Sequence, residues 1–225
     1  MTPDEYDAAL AALNVRAAEG EDVREEAKRL MRAFVGGMAA WLAANVPQAW
    51  VEGAGIIPGE LSTLHTDSAY LMADVALERF RQCYDVAIRK VSDTYARASL
   101  LKNLDDGGRT WKAYAAAIRK DMQSHGATVF RDTLGREWSL KRYSEMVART
   151  TLQQAKNEAA RMRLVEKGHD LAVITGPVPG ERPACAHYAG MTVSLTGRTA
   201  GYPTLSMYTE AGGFGPSCRH GLAKA

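Results

Sequence analysis

LSTLHTDSAYLMADVALERFRQCYDVAIRKVSDTYARASLLKNL, residues 61–104, contains neither proline nor glycine. Within it Leu71, Val75, Leu77, Phe80, Cys83, Tyr84, Ala87, Ile88, Val91, Tyr95 and Leu100 recur at helical spacing. A stretch this long with a period near 3.6 predicts one long helix, or two stacked end to end. Asp105-Asp106-Gly107-Gly108 is the expected stop, and Trp111, Tyr114 and Ile118 mark one more short amphipathic helix beyond it.

Upstream, Thr2-Pro3-Asp4-Glu5 is a helix start, with Thr at the cap, Pro at the first helical position and Glu three residues after the cap. That helix presents Tyr6, Leu10 and Leu13 on one face and stops near Gly20. A second helix is expected from Asp22 to Val46, ended by Pro47 and loosened at Gly36-Gly37, with a loop over residues 47–58. Downstream the texture changes. Residues 127–138 read as a small β-hairpin. Ser139 then caps a helix that presents Tyr143, Met146, Val147, Thr150 and Thr151 on one side and stops at Gly168. Leu171 to Thr175 is a short strand, and from Gly176 onward Gly, Pro and Ser dominate, with extended pieces such as Met191 to Leu195. The fold class that follows is α+β, mainly α: long N-terminal helices, then a small, mixed, loop-rich module. The expected domains are residues 1–125 and 126–225.

Composition narrows the function classes. Hydrophobic residues at 46% and charged residues at 24% are ordinary for a globular protein. A net charge of +2 argues against bulk neutralisation of phosphates. Met1-Thr2-Pro3-Asp4-Glu5 has no basic leader, so export is not indicated and synthesis in a cytoplasm is expected. The longest uncharged apolar run, Ala33 to Val46, is too short to span a bilayer.

The chemistry-bearing residues cluster late. Cys185-Ala186-His187 and Cys218-Arg219-His220 form two Cys-x-His pairs in a segment with little apolar material to bury. Two thiolates and two imidazoles suit tetrahedral zinc, and a structural zinc would offset the ordering entropy of such a segment. Two other readings remain: the cysteines as small buried hydrophobes with the histidines hydrogen-bonded nearby, or a disulfide, which a reducing compartment disfavours. A zinc deaminase requires a Glu two residues after its first ligand, and here that position is His187. A Cys-His nucleophile and base is the remaining catalytic option, and alternate residues on one strand are poorly placed for it. No catalytic residue and no small-molecule substrate are therefore expected. His65, His125 and His169 stand alone and read as surface or capping residues. The helix over 139–168 is the most basic element, carrying Lys141, Arg142, Arg149, Lys156, Arg161, Arg163 and Lys167. Most such runs are solvated faces, and contact with a DNA backbone or an acidic partner is the functional alternative.

An ordered series of motifs supplies the resemblance. It runs from Gly135-Arg136-Glu137-Trp138-Ser139-Leu140 through Tyr143-Ser144-Glu145-Met146-Val147-Ala148-Arg149-Thr150 and Asn157 to Gly168-His169-Asp170-Leu171. It continues with Cys185-Ala186-His187-Tyr188-Ala189-Gly190, Ser194-Leu195-Thr196-Gly197, Gly201-Tyr202-Pro203 and Gly215-Pro216-Ser217-Cys218-Arg219-His220. In this order the last ninety or so residues resemble the phage minor capsid protein family, allied to the Mu-type head morphogenesis proteins. The resemblance implies a low-copy structural protein of the virion, made in the host bacterial cytoplasm and built into the capsid interior near the portal. Its implied partners are the portal or major capsid protein, and phage DNA during packaging or ejection. Family members often carry Cys-x-x-Cys where this chain has Cys185-Ala186-His187, which leaves the ligand set open among Cys185, His187, Cys218 and His220. The alternatives are a phage-delivered effector or a nucleic-acid-binding zinc module. A fused effector would need about a hundred residues after His220, where five follow. A nucleic-acid module would need more surrounding positive charge than Arg182, Arg198 and Arg219 provide.

Overall fold

The computed structural model describes residues 1–19, 21–99, 130–131, 137–176, 183–216 and 218–225. The elements in chain order are α1 (Pro3–Ala18), α2 (Arg24–Ala54), α3 (Thr63–Ser99), β1 (Phe130–Arg131), β2 (Glu137–Trp138), α4 (Leu140–Glu166), β3 (Leu171–Ile174), α5 (Pro183–Ala186), β4 (Thr192–Ser194), α6 (Leu205–Glu210) and β5 (Leu222–Lys224). The architecture is α+β and mainly α, as the periodicity predicts. The stop at residues 105–108, the short helix around Trp111 and the expected domain boundary near 125 lie outside the described residues. The chain forms two compact units, each assembled from two segments. One comprises Met1–Ala40 with Leu77–Glu145, the other Trp41–Ala76 with Met146–Ala225.

In the first unit, α1 begins with the reciprocal cap its sequence predicts. The Glu5 amide donates to Thr2 Oγ1 at 3.2 Å, and the Thr2 amide donates to Glu5 Oε2 at 2.8 Å. Tyr6, Leu10, Leu13 and Ala17 form its buried face. An aromatic chain organises the core: Tyr6 stacks on Phe34 at 4.5 Å between ring centroids, Phe34 meets Phe80 edge-on at 6.0 Å, and Phe80 lies over Tyr143 at 6.2 Å. The Tyr95 hydroxyl donates to Asn14 Oδ1 at 2.7 Å. Burial pushes the Tyr6 phenol well above its usual range. Phe130 pairs with Trp138 and Arg131 with Glu137, so the strands of the expected hairpin are present.

The second unit holds two departures from expectation. Pro47 does not end α2, which continues to Ala54. An internal proline loses one backbone bond and costs about 3 kcal/mol. Ala49, Trp50 and Ala54 are all buried beyond it, and that burial offsets the loss. The second departure concerns α3. Leu71 and Val75 belong to its apolar pattern, yet they are 64% and 43% exposed. The buried line at this end is His65, Ala69, Ala73 and Ala76. A hydropathy pattern cannot foresee this, because small side chains bury best where two backbones come close.

Such an approach occurs between α2 and α4. A Cβ on Gly53 would lie 2.1 Å from the Lys156 carbonyl oxygen, so only glycine fits. A buried polar cluster lies in the same unit. Trp50 Nε1 donates to His65 Nδ1 at 3.0 Å, and His65 Nε2 is 3.6 Å from Glu166. His65 is thus a core residue at 1% exposure, not a surface one. Arg163, equally buried, donates from Nε to the Ile57 carbonyl at 3.1 Å and from Nη2 to the Pro58 carbonyl at 3.3 Å, and pairs with Glu166 at 2.8 Å. The loop after α2 is thereby fastened to the end of α4.

The sheet order is β4-β3-β5, antiparallel throughout, with Val173 opposite Thr192 on one side and Ala223 on the other. Leu164, Ala172, Ile174, Val193, Leu205 and Tyr208 form its core. Asp170, at the entry to β3, binds the loop after β4. Its carboxylate accepts from the hydroxyls of Ser194, Thr196 and Thr199 and from the amides of Thr196 and Thr199. Donors converging on the ionised form hold this carboxyl far below the usual carboxylate range.

Two stability predictions follow from these contacts. Arg163→Ala should lower the unfolding free energy by about 3 kcal/mol, because buried carbonyls and Glu166 lose their partner. Arg161→Ala, which removes a part-exposed pair with Glu158, should cost under about 1 kcal/mol; urea titration of both variants separates the two cases. For Asp170 the folded-state pKa is depressed, so its contribution is present above the unfolded value near 3.9 and is lost as pH falls below it. The melting temperature of the wild-type chain should therefore drop more steeply below about pH 4 than that of Asp170→Asn, measured by thermal melts across pH 2–6.

Candidate functional site

Sheet topology brings the two halves of the Cys/His constellation together. β4 and β5 both run antiparallel to β3, so they run parallel to each other and begin at the same end of the sheet. Cys185 precedes β4 and Cys218 precedes β5, and both therefore enter from the side where β3 ends. The sulfurs of Cys185 and Cys218 and a ring nitrogen of His220 all lie within 4.8 Å of one another. Cys185 is 2% exposed, Cys218 9% and His220 1%. No disulfide joins the two cysteines.

Of the four residues expected to share an ion, His187 is not in this group. It is exposed, and its ring meets Tyr188 edge-on at 5.0 Å. Backbone geometry explains the difference between two pairs of equal spacing. Cys185 and Ala186 close the helical turn α5 and His187 follows in a turn in which the Tyr188 amide donates to the Cys185 carbonyl at 3.0 Å, so the backbone is not extended and alternate residues do not share a face. Cys218-Arg219-His220 runs outside any helix into β5, and alternate residues of an extended chain share a face. Cys218 Sγ accordingly lies 3.5 Å from His220 Nδ1.

The surroundings fix each member. Gln153 Nε2 and Asn157 Nδ2, one turn apart on α4, both donate to the His220 carbonyl, at 3.1 and 3.0 Å. The Gly221 amide donates to Thr175 Oγ1 and the Thr175 amide to the Gly221 carbonyl, which docks the segment on the end of β3. Gly176 then passes under the His220 ring, where an added Cβ would lie 2.8 Å from Ala189 Cβ and 3.2 Å from His220 Cδ2. The Tyr208 hydroxyl is 3.4 Å from Cys218 Sγ, and its ring packs against Tyr188 and Phe214. Burial opposes ionisation of Cys218. The Tyr208 hydroxyl and the backbone and ring of His220 outweigh it, and the thiol is brought down from 9.0 to about 7. Burial, with Cys218 beside it, pushes the Tyr208 phenol far up, so it stays a hydrogen-bond donor.

Two thiols and an imidazole so arranged can hold a soft cation, or supply a thiolate beside an imidazole. The burial of all three favours the first. The basic run on α4 is engaged in part, with Arg142, Arg149 and Lys167 exposed. Arg163 is buried, Lys141 pairs with Asp4, Lys156 with Glu52 and Arg161 with Glu158. Among the described residues, no helix is long and apolar enough to cross a membrane. The supporting amides of Gln153 and Asn157, the Gly176 approach and Tyr208 are not signalled by any local motif, because each acts across ten or more residues of chain.

The family model described as phage minor capsid protein 2 matches residues 109–224, and the chain belongs to that family. Its role is thus structural and phage-associated. No curated protein and no solved structure is significantly similar to the chain.

Asn157→Leu removes one donor to the His220 carbonyl and leaves a buried polar contact unmade, which costs about 1–3 kcal/mol. We expect amide hydrogen exchange to speed up selectively in β5 and the end of β3, while α1 is unchanged.

Proposed function

We propose that this protein is a low-copy component of the phage capsid interior that joins the portal or the major capsid protein during head assembly and acts through that contact on DNA packaging or ejection. Membership of the minor capsid family carries the reading. The α3 surface supports it: Leu64, Leu71 and Val75 lie along one side of the helix at intervals of seven and four residues, between 43% and 64% exposed. An apolar line of this kind on a long helix suits contact with another protein more than contact with water or phosphate. Four of the basic side chains that would favour direct DNA binding, Lys141, Lys156, Arg161 and Arg163, are paired with acidic neighbours.

The test combines two measurements. Mass spectrometry of purified virions should detect the chain at a small copy number. Full-length protein should capture purified portal or major capsid protein in a pull-down, and the double variant Leu71→Glu, Val75→Glu should bind at least tenfold more weakly, a loss of about 1.4 kcal/mol. Virions without the chain, or binding to neither partner, would overturn the proposal.

A further inference from the structure

We propose that Cys185 Sγ, Cys218 Sγ and His220 Nδ1 are ligands of a zinc site in which His187 takes no part. Such a site does not depend on where in the phage head the protein sits. Zinc binds thiolate at about 2.3 Å and imidazole at about 2.0–2.1 Å, so in a tetrahedral site a sulfur and a nitrogen stand roughly 3.6 Å apart and two sulfurs roughly 3.8 Å. Cys218 Sγ and His220 Nδ1 are 3.5 Å apart, and the whole set lies within 4.8 Å, so at most about an ångström of adjustment is needed.

The donor chemistry selects the ion. Two thiolates with one imidazole discriminate against magnesium and calcium, which require oxygen, and favour zinc among the abundant divalent ions. The site also has the outer support that metal ligands need. Two α4 amides hold the His220 carbonyl, and the close passage of Gly176 fixes the plane of its ring. Tyr208 Oη stands 3.4 Å from Cys218 Sγ, where its hydroxyl would donate to a metal-bound thiolate. Three ligands of a tetrahedral set come from the described residues. Because the ligands precede two different edge strands, the ion would close the end of the sheet and join segments 33 residues apart, from Cys185 to Cys218.

The experiment is elemental analysis of full-length protein purified in reducing, chelator-free buffer, followed by chelator stripping and cobalt titration. About one zinc per chain is expected. The stripped wild-type protein should take up one cobalt, with a thiolate-to-cobalt charge-transfer band and the visible bands of a tetrahedral site. His187→Ala should match wild type in both readouts. Cys185→Ser, Cys218→Ser and His220→Ala should lose the bound metal, and Tyr208→Phe should weaken cobalt binding by about tenfold. Should the ligand variants fail to fold by circular dichroism, the wild-type cobalt spectrum and the His187→Ala variant still decide. No thiolate–cobalt band in the wild-type protein, or loss of metal in His187→Ala, would overturn the proposal.

Discussion

The backbone carbonyl of His220 accepts hydrogen bonds from Gln153 and Asn157 of α4, and the C-terminal module is arranged around that acceptor. Both donors approach from one turn of a helix, so the carbonyl is held in position and direction. From there the chain can do little except run along β3 as β5, with Gly221 bonded to Thr175 in both directions. His220 then faces Cys218, and the parallel relation of β4 to β5 brings Cys185 in from the other side. A segment rich in glycine and short of apolar side chains gains its order from these polar anchors, from Asp170 and its hydroxyl partners, and from a core built around Tyr208.

The long helices were legible because their signals are local and redundant. Thr2 and Glu5 cap α1 as their spacing predicts, and Ser139 caps α4, accepting from the Arg142 amide at 3.2 Å. Gly168, with φ of +80°, ends α4 in the left-handed conformation that its residue type suggests. What failed were inferences that depended on a neighbour. Pro47 interrupts a helix by its own chemistry, yet tertiary burial of Trp50 carries α2 through it. Leu71 and Val75 should be inside by hydropathy, yet Ala69, Ala73 and Ala76 are the buried residues at that end of α3.

The site divides along the same line. That Cys185, Cys218 and His220 belong together is visible in two Cys-x-His pairs bracketing a loop-rich segment. That His187 differs from His220 is not visible, since spacing is equal and only the helical turn at α5 separates the cases. His65 and Arg163 read as surface residues for want of any motif. In the structure they form a buried polar cluster with Trp50, Glu166 and two loop carbonyls. Their environment depends on residues about a hundred positions away, which a local reading does not reach.

The central claim is spatial: the segments carrying Cys185 and Cys218 meet at one end of the sheet. The most direct measurement is mild oxidation of chelator-treated, dilute protein with diamide, followed by peptide mapping without reduction. Sulfurs within 4.8 Å need only a small adjustment to bond, so an intramolecular Cys185–Cys218 link should form early and in high yield. Persistence of both thiols, or their capture only in links between chains, would contradict the arrangement.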